Sequence, residues 1–405
     1  MKDVKLKKFI VAMLLVLNLL TYGVGRAWAQ AASTTTPALQ LPVMQGSLTA
    51  NPNPFSFDIE HFGKIYLTGA VSGLAQWQTH PESDDSTTQV DVSNAQIFIQ
   101  KPEGILQFYV QVGFYSQPSL GTPYVNAINT ISDLWGPVPL AFVTLAPTQD
   151  WSIEVGKLSA LAGLEQTFTL QNMNIERGLL WNQSNSVNRA IQVNHSIGPC
   201  TLALSWNDGY YSGRYSWLSG SFGWNIDGSD TLTLTGAGNA GTTIISHPAT
   251  PVFQNNSEIF DLDYAHTSGP WSVMPYLQFT YVPRTPQIGL MHYGSTYGAA
   301  TLASYTFDSA SKVFGLSLAG ISLPLRLEYI FSTGSVSDGA PNLLYGAGST
   351  AWSVTVTPTY QYKRFFSRAE FSFVGANHIA ARAAFGPDGN DGTQARVLLE
   401  WGFLI

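Results

Sequence analysis

The sequence ends in QARVLLEWGFLI, residues 394–405, and this stretch decides the fold. Its odd-numbered positions are all apolar, whereas its even-numbered positions include Gln394, Arg396, Glu400 and Gly402. Successive side chains of a β-strand point to opposite faces, so a strand with this pattern has one apolar and one polar side. The segment therefore predicts a strand that separates two different environments.

The same alternation recurs along the chain, in segments of about 9 to 13 residues, a length that suits tilted strands crossing a bilayer. Aromatic residues recur near the segment ends, as interfacial girdles require; they are Trp77, Trp151, Trp206, Trp271, Trp352, Tyr360, Tyr362 and Trp401. The charges in the interior of four segments fall in the polar phase; they are Asp261 and Asp263, Arg326 and Glu328, Arg364, Arg368 and Glu370, and Arg396 and Glu400. The polar phase is therefore predicted to face water and the apolar phase lipid.

The connections between these segments alternate between tight Gly-, Pro- and Asp-rich turns and long polar loops. Short turns on one side and long loops on the other are typical of outer-membrane barrels. Residues 311–320 and 322–333 look like two strands, but only one long strand, with a bulge or bend near Pro324, preserves the alternation. The sequence thus predicts an all-β fold, a transmembrane antiparallel up-and-down barrel of about 16 strands over residues 64–405. Eighteen strands are the alternative if residues 342–346 hide part of an extra hairpin.

The first residues carry an export signal. Four lysines precede an apolar run from Phe9 to Leu20, and the small-residue pattern Ala27-Trp28-Ala29 follows. This arrangement predicts a signal peptide over residues 1–29, and its apolar run is shorter than the about 20 residues of a membrane-spanning helix. Residues 30–63, rich in Ala, Thr, Pro and Asn, are predicted to be a periplasmic linker. The predicted location is the bacterial outer membrane.

Composition excludes several classes of protein. Of the 405 residues only 11% are charged, while 45% are hydrophobic and 13% aromatic, a poor match to a cytosolic enzyme or to a disordered chain. The single cysteine, Cys200, rules out an intrachain disulfide and a cysteine-based metal site. The net charge of −7 gives a nucleic-acid partner no support. Cleavage after Ala29 would remove five basic residues and one acid, leaving −11.

A barrel of about 16 strands is wide enough to enclose an aqueous lumen. The predicted function is therefore a porin, a water-filled channel for passive diffusion of small hydrophilic solutes or ions, with a mild cation preference from the acid excess. No enzymatic activity, cofactor or metal is predicted. The expected partners are outer-membrane lipid, the small hydrophilic solutes and further copies of the chain in a homo-oligomer.

Residues 159–186 form the longest connection and are too apolar for a freely solvated loop, so they are the candidate for a loop folded into the lumen. A position on the outer rim or at a subunit contact is the alternative. The strand charges Arg326/Glu328 and Arg368/Glu370 are predicted to act as cross-strand partners as well as selectivity elements. The full set of pore-lining candidates is Glu165, Glu176, Arg177, Asp261, Asp263, Arg326, Glu328, Arg368, Glu370, Arg396 and Glu400.

Four short motifs resemble the OmpL-like family of β-barrel porins: Glu154-Val155-Gly156-Lys157, Ala162-Gly163-Leu164-Glu165, Glu176-Arg177-Gly178 and Ser205-Trp206-Asn207-Asp208-Gly209. In that family a strand ending in Gly-Lys precedes a Gly-x-Glu loop, and a later strand ends near Asn-Gly. The resemblance covers residues 64–405, implies a porin-like channel and brings no catalytic residues. One departure lies at the end of the chain, where Phe403 is followed by Leu404 and Ile405 instead of closing on the aromatic that many outer-membrane barrels use in assembly.

Other signals are weaker. Residues 236–241 match G-x-G-x-x-G but lack the surrounding βαβ unit of a dinucleotide site. The seven histidines show no metal-ligand spacing, and no G-x-S-x-G elbow is present. Two alternatives to a porin stay open at this stage, a barrel-embedded outer-membrane hydrolase and a secreted soluble β protein.

Overall fold

The computed structural model describes residues 46–313 and 316–405. The predicted signal peptide and the first part of the predicted linker lie outside the described residues. Within the described ranges, no helix has the length and apolar character needed to cross a membrane.

Antiparallel strands follow one another in chain order around a closed barrel of sixteen wall positions. The first eight are β2 (Gly63–Gln78), β3 (Thr88–Lys101), β4 (Leu106–Tyr115), β5 (Leu140–Leu145), β6 (Trp151–Ser159), β7 (Val187–Ile197), β8 (Cys200–Asn207) and β9 (Trp217–Asn225). The others are β10 (Asp230–Asn239), β11 (Glu258–Ser268), β12 (Trp271–Val282), β13 (Gly294–Thr306), β16 (Ile321–Ser332), β17 (Thr350–Val356) with β18 (Thr359–Tyr362), β19 (Phe365–Asn377) and β20 (Thr393–Leu404). The prediction of an all-β barrel with sixteen strands is confirmed.

The last strand closes the barrel against the first wall strand. Ala70 of β2 lies opposite Leu404 of β20, and the pairing continues to Gln78 opposite Arg396. Ile405 adds two backbone hydrogen bonds to Gly69. Closure leaves no unpaired wall edge, which a β structure in hydrocarbon requires because no water is present to pair its backbone groups. The additional strand β1 (Phe55–Ile59) forms a hairpin with the start of β2.

The prediction for residues 311–333 was wrong in one respect. Only Ile321–Ser332 forms the wall strand β16, whereas β14 (Lys312–Val313) and β15 (Leu316–Ser317) make a small separate hairpin inside the preceding turn. Just before this hairpin, Asp308 Oδ1 accepts hydrogen bonds from the backbone of Ala310 and Ser311 and so forms a tight turn.

The expected bend near Pro324 lies in the neighbouring strand. Val356 pairs with Leu325 and Thr359 with Ser322, so the break between β17 and β18 at Thr357-Pro358 sits beside Pro324. Two prolines on adjacent strands remove two ladder donors at the same level, which explains the interruption. β17 and β18 together occupy one wall position, so the count of sixteen is unchanged.

Eight long loops connect the strands at one end of the barrel, and short turns connect them at the other. The loops are L1 (79–87), L2 (116–139), L3 (160–186), L4 (208–216), L5 (240–257), L6 (283–293), L7 (333–349) and L8 (378–392). L7, which contains residues 342–346, forms a single 3-10 turn and no strand within its described length, so no extra hairpin is added. In porins the long loops face the cell exterior and the short turns the periplasm.

The short turns follow from local chemistry. In the β9–β10 turn, Asp227 Oδ1 accepts hydrogen bonds from the backbone of Ser229 and Asp230, at 3.1 Å each. Gly228 has φ +84°, a backbone conformation that side chains rarely adopt. Both residues therefore serve the tight reversal between two adjacent strands.

The predicted division of each strand into an apolar and a polar face corresponds to the outside and the inside of the barrel. Apolar side chains such as Leu325, Leu327 and Leu399 are exposed on the outside, while Arg326 and Glu400 between them are buried inside. The predicted girdle aromatics are exposed to between 39% and 59%. The outer surface is thus an apolar band with aromatic margins, as a lipid-facing barrel requires.

Candidate functional site

L3 is folded into the barrel, because carboxylates of the inner wall bind its backbone. The two oxygens of Glu370 accept hydrogen bonds from the backbone N–H groups of Ile175, at 2.5 Å, and Glu176, at 3.1 Å. Those of Glu328 accept from Leu179, at 3.0 Å, and Leu180, at 3.2 Å. Two pairs of consecutive backbone amides in L3 are therefore bonded to carboxylates and do not need water as an acceptor. Hydrogen bonds to charged groups are stronger than those between neutral groups.

Arginines of the same wall bind L3 and L2 through carbonyl oxygens. Arg326 donates to the Glu176 carbonyl and to the Glu165 carboxylate, at 2.6 and 2.7 Å. Arg368 donates to the carbonyls of Asn172 and Thr169. These wall charges therefore hold the loop in one position inside the barrel.

Arg396 connects both loops to β20. It donates to the carbonyls of Ser119 and Thr122 in L2 and forms an ion pair of 2.7 Å with Glu176 in L3. Glu176 also accepts from the hydroxyl of Ser372. The arrangement cross-links two loops and two strands through one buried ion pair.

The wall charges pair in a pattern that sequence alternation did not predict in full. Arg326 and Glu328 lie 3.3 Å apart on one strand. Arg368 pairs instead with Glu400, its direct neighbour in register on β20. Glu370 is occupied by L3 and by the Thr357 hydroxyl, so the expected Arg368/Glu370 pair is replaced by loop contacts.

Gly178 explains why the Glu-Arg-Gly motif of L3 ends in glycine. A Cβ atom at this position would lie 2.2 Å from a carboxylate oxygen of Glu328. That carboxylate cannot move aside, because Leu179, Leu180 and the Ser353 hydroxyl all donate to it. Glycine is therefore required for the close approach of loop and wall.

Glu165 and Arg177 lie at the centre of L3. Burial raises the pKa of Glu165, an effect that the nearby Arg326 guanidinium opposes. Arg177 is 0% exposed and none of its guanidinium nitrogens has a hydrogen-bond partner among the described residues. Burial lowers its pKa to about 10, so it stays charged at neutral pH, and its guanidinium lies 5.0 Å from the ring centre of Trp181.

An apolar cluster inside the barrel was missed by the sequence analysis, which predicted a polar interior throughout. Phe98 and Phe366 of the wall pack with Phe168 of L3 and with Leu48, which is 2% exposed. Leu48 belongs to a segment, residues 46–50, that lies within the predicted periplasmic linker. In the sequence, Phe98 and Phe366 occupy inward positions of their strands, and this could have indicated an apolar cluster inside the barrel.

The segment 46–50 is fixed to both loop and wall. Ser47 Oγ lies 3.2 Å from Ser304 Oγ of β13, and Gln361 of β18 exchanges hydrogen bonds with the backbone of Thr49. A Cβ atom on Gly46 would lie 2.2 Å from the Asn172 carbonyl of L3. The segment thus passes between L3 and the short-turn end of the barrel.

The short-turn halves of β6 through β12 are less covered than their loop-end halves, on which L3 packs. Their inward positions include half-buried residues such as Ser152, Asn194 and Thr233. Three carboxylates, Glu154, Asp261 and Asp263, face this side, and no inward position of these strands carries a basic residue. Asp261 accepts from the backbone of Gly163 in L3 through one oxygen, while its other oxygen has no partner among the described residues.

Ten of the eleven predicted candidates lie where L3 meets the inner wall or, like Asp261, contact L3. The eleventh, Asp263, lies two residues after Asp261 on β11. Sequence reasoning missed Glu154, although its alternation with Ile153 and Val155 places it in the inward phase of β6. In the described ranges, no three His, Cys, Asp or Glu side chains are grouped to hold a metal ion.

Comparison with solved structures supports the fold. OmpF of Salmonella typhi in complex with daunomycin matches with a TM-score of 0.54 and 13% identity, over 86% of this chain and 100% of that chain. OmpT of Vibrio cholerae matches with a TM-score of 0.53 and 9% identity, over 87% and 100% of the two chains. At such identities the likeness concerns the fold alone.

Among curated proteins, none matches the chain significantly. A family model does match, that of the putative beta-barrel porin-2, OmpL-like family, and it covers residues 64–405. This range contains every wall strand after the first residue of β2, so the motif resemblance extends to the whole barrel. The chain therefore belongs to the OmpL-like beta-barrel porin-2 family.

Proposed function

We propose that this outer-membrane β-barrel is a porin that lets small hydrophilic solutes and ions diffuse passively through a water-filled channel. The observation that carries the proposal is the closed sixteen-strand wall with an apolar outside and polar, charged side chains inside. Barrels of this strand number are wide enough for an aqueous passage. In this proposal, outer-membrane lipid surrounds the apolar band on the outside of the barrel.

L3 and segment 46–50 occupy the lumen next to β2–β4 and β16–β20, and L3 also packs on the loop ends of β9–β13. The passage is therefore proposed to run between L3 and the less covered short-turn halves of β6–β12. The pore-lining role is assigned to Glu154, Asp261 and Asp263, and to the L3 surface that faces them. The other candidate charges act mainly by holding L3 in position. The passage would be narrow and defined by the loop.

The charge of this wall supports a mild cation preference. No basic residue shares the inward positions of β6–β12 with its three carboxylates, whereas the arginines of the opposite wall are engaged by glutamates and loop carbonyls. Carboxylates lining a pore attract cations and repel anions. The proposed selectivity therefore arises on one side of the lumen.

Single-channel recording in planar bilayers tests the proposal. The purified protein should give discrete conductance steps, and the reversal potential in a potassium chloride gradient should have the sign of cation preference. Absence of conductance steps from folded, heat-modifiable protein would refute the pore. Clear anion selectivity would refute the charge assignment.

We also propose that the barrel makes or breaks no bond and assembles as a homo-oligomer. The family and fold are those of channels, and one OmpT structure of Vibrio cholerae is described as a trimer form. Assays of the purified protein on phospholipid and peptide substrates test the first statement, with turnover above background as the contrary result. Light scattering in detergent tests the second, for which a monomer mass would be contrary.

A further inference from the structure

A cavity of about 540 Å³ lies among L2, L3, L4, L5 and L7, at the long-loop end of the barrel. Ligand sites commonly enclose about 300–1,000 Å³. Because porins direct their long loops toward the cell exterior, a solute entering the proposed channel meets this vestibule first. Trp181 of L3 forms part of its lining and lies against Arg177 inside the barrel.

Two kinds of side chain dominate the lining. Aromatic rings come from all five loops; they are Tyr124, Trp135, Trp181, Tyr210, Phe253 and Tyr345. Carboxamides are equally frequent; they are Gln117, Asn129, Asn182, Gln183, Gln254 and Asn342. Asp133 is the single charged residue of the cavity wall among the described residues.

This combination matches the chemistry of an uncharged sugar. A sugar ring has an apolar C–H face, which an aromatic ring can cover, and an edge of hydroxyl groups that both donate and accept hydrogen bonds. A carboxamide offers both functions from one side chain, and aromatic rings supply large rigid contact areas. A charged solute would lose hydration in this cavity and find no opposite charge to compensate, apart from one carboxylate.

The lining is held in place before any ligand arrives. The Tyr345 hydroxyl donates to the Gly121 carbonyl at 3.0 Å, and the Tyr210 hydroxyl donates to the Gln183 carbonyl at 2.6 Å. Gln183 is fixed further by its side-chain N–H bond to Leu343, which leaves its buried Oε1 without a hydrogen-bond partner among the described residues. The rings of Tyr345 and Tyr210 and the Gln183 amide are therefore preorganised around the cavity.

We propose that this vestibule binds uncharged saccharides ahead of the constriction formed by L3. The inference rests on the proposed channel for its physiological role, since it names the class of solute that would pass. Binding itself depends only on the folded loops.

The test measures binding and transport separately. Titration calorimetry of the detergent-solubilised full chain with glucose, sucrose and raffinose should show saturable binding, and glucuronate and glucosamine should bind more weakly than the neutral sugars. In planar bilayers, raffinose should produce transient blockades of the ionic current. A conducting channel with no saccharide binding overturns this inference and leaves the porin intact, while binding without conductance overturns the porin alone.

Variants locate the site. Trp181→Ala should weaken raffinose binding about tenfold, and Trp181→Phe much less because a ring is retained. Phe253→Ala, in a different loop, provides an independent removal of a ring if the Trp181 variant does not fold. The matched control is Trp224→Ala on the outer surface of β9, which is 41% exposed and far from these loops. Equal weakening by the control, or tighter binding of glucuronate than of raffinose, contradicts the assignment.

Discussion

Removing carboxylates from the proposed pore-lining wall tests, at the scale of single residues, where ion selectivity arises. The double variant Asp261→Asn/Asp263→Asn eliminates two negative charges without changing side-chain size. The cation-to-anion permeability ratio should fall about threefold, because the wall of β6–β12 then retains one carboxylate. Reversal potentials in a salt gradient measure the change.

The matched control is Glu258→Gln. Glu258 lies on the same strand as both aspartates but in the outward phase at the loop end, so its removal changes total charge without changing the lumen. An equal effect of this control would place selectivity in the overall charge of the protein. An unchanged ratio in the double variant would show that ions avoid this wall.

A second residue links selectivity to pH. Burial in L1 raises the pKa of Glu82 from 4.5 to about 7, with Arg396 lowering it and Asp85 raising it further. The carboxyl is therefore neutral at pH 5 and ionised at pH 8, and it adds negative charge to the mouth as pH rises. Cation preference should increase through pH 7, and Glu82→Gln should weaken this dependence while Asp84→Asn preserves it. A pH profile that Glu82→Gln leaves intact would assign the titration elsewhere.

At the scale of elements, the position of L3 depends on carboxylates that receive its backbone amides. In the double variant Glu328→Gln/Glu370→Gln each new NH₂ group faces N–H donors, and each lost pairing costs about 1–3 kcal/mol. L3 should detach from the wall, so that unit conductance rises and the open current becomes noisier. Single-channel recording measures both quantities.

Glu154→Gln is the control for this variant, since Glu154 is a luminal glutamate bonded to Gln192 and not to L3. Its conductance noise should match that of the original protein. A quiet channel of unchanged conductance in the double variant would mean that contacts other than these carboxylates determine the position of L3. Proteolysis within L3 gives a second readout, with faster cleavage expected only in the double variant.

Sequence alternation predicted the strands well because the two faces of each strand meet different surroundings. The polarity of the side chains therefore alternates along the strand. It assigned β16 its inward Arg326 and Glu328 correctly. It could not predict that Arg368 would pair with Glu400 while Glu370 bound L3, because those contacts depend on the register of distant strands and on the path of the loop. The small hairpin before β16 was missed because its residues alternate like a wall strand.

For the whole molecule, the even strand count followed from the alternation of short turns and long loops, a constraint that both ends of every strand must satisfy. The segments that fill the barrel could not be predicted from this alternation. The contacts of L3 with β16 and β19 join residues about 150 to 195 positions apart, and no local pattern marks such pairs. The same holds for residues 46–50, whose composition indicates a linker although Leu48 is buried among aromatic side chains.

The burial of Leu48 leads to a prediction about the complete channel. Segment 46–50 lies between L3 and the short-turn end and occupies part of the lumen, so deleting residues 30–53 should enlarge the passage and raise the unit conductance. Apolar contacts of Leu48 with Phe98, Phe168 and Phe366 would be lost. The gain should be largest for solutes excluded by size, as measured by liposome swelling.

Two further variants show whether the presence of segment 46–50 or its anchoring by Leu48 limits the conductance. Deleting residues 30–44 leaves the segment and should not raise conductance as the longer deletion does. Leu48→Ala keeps the segment but removes about 2–5 kcal/mol of packing, so the channel should alternate between the original and the enlarged conductance. If the longer deletion conducts like the intact chain, solutes pass on the side of β6–β12 without approaching the segment, and the constriction is set by L3 and that wall alone.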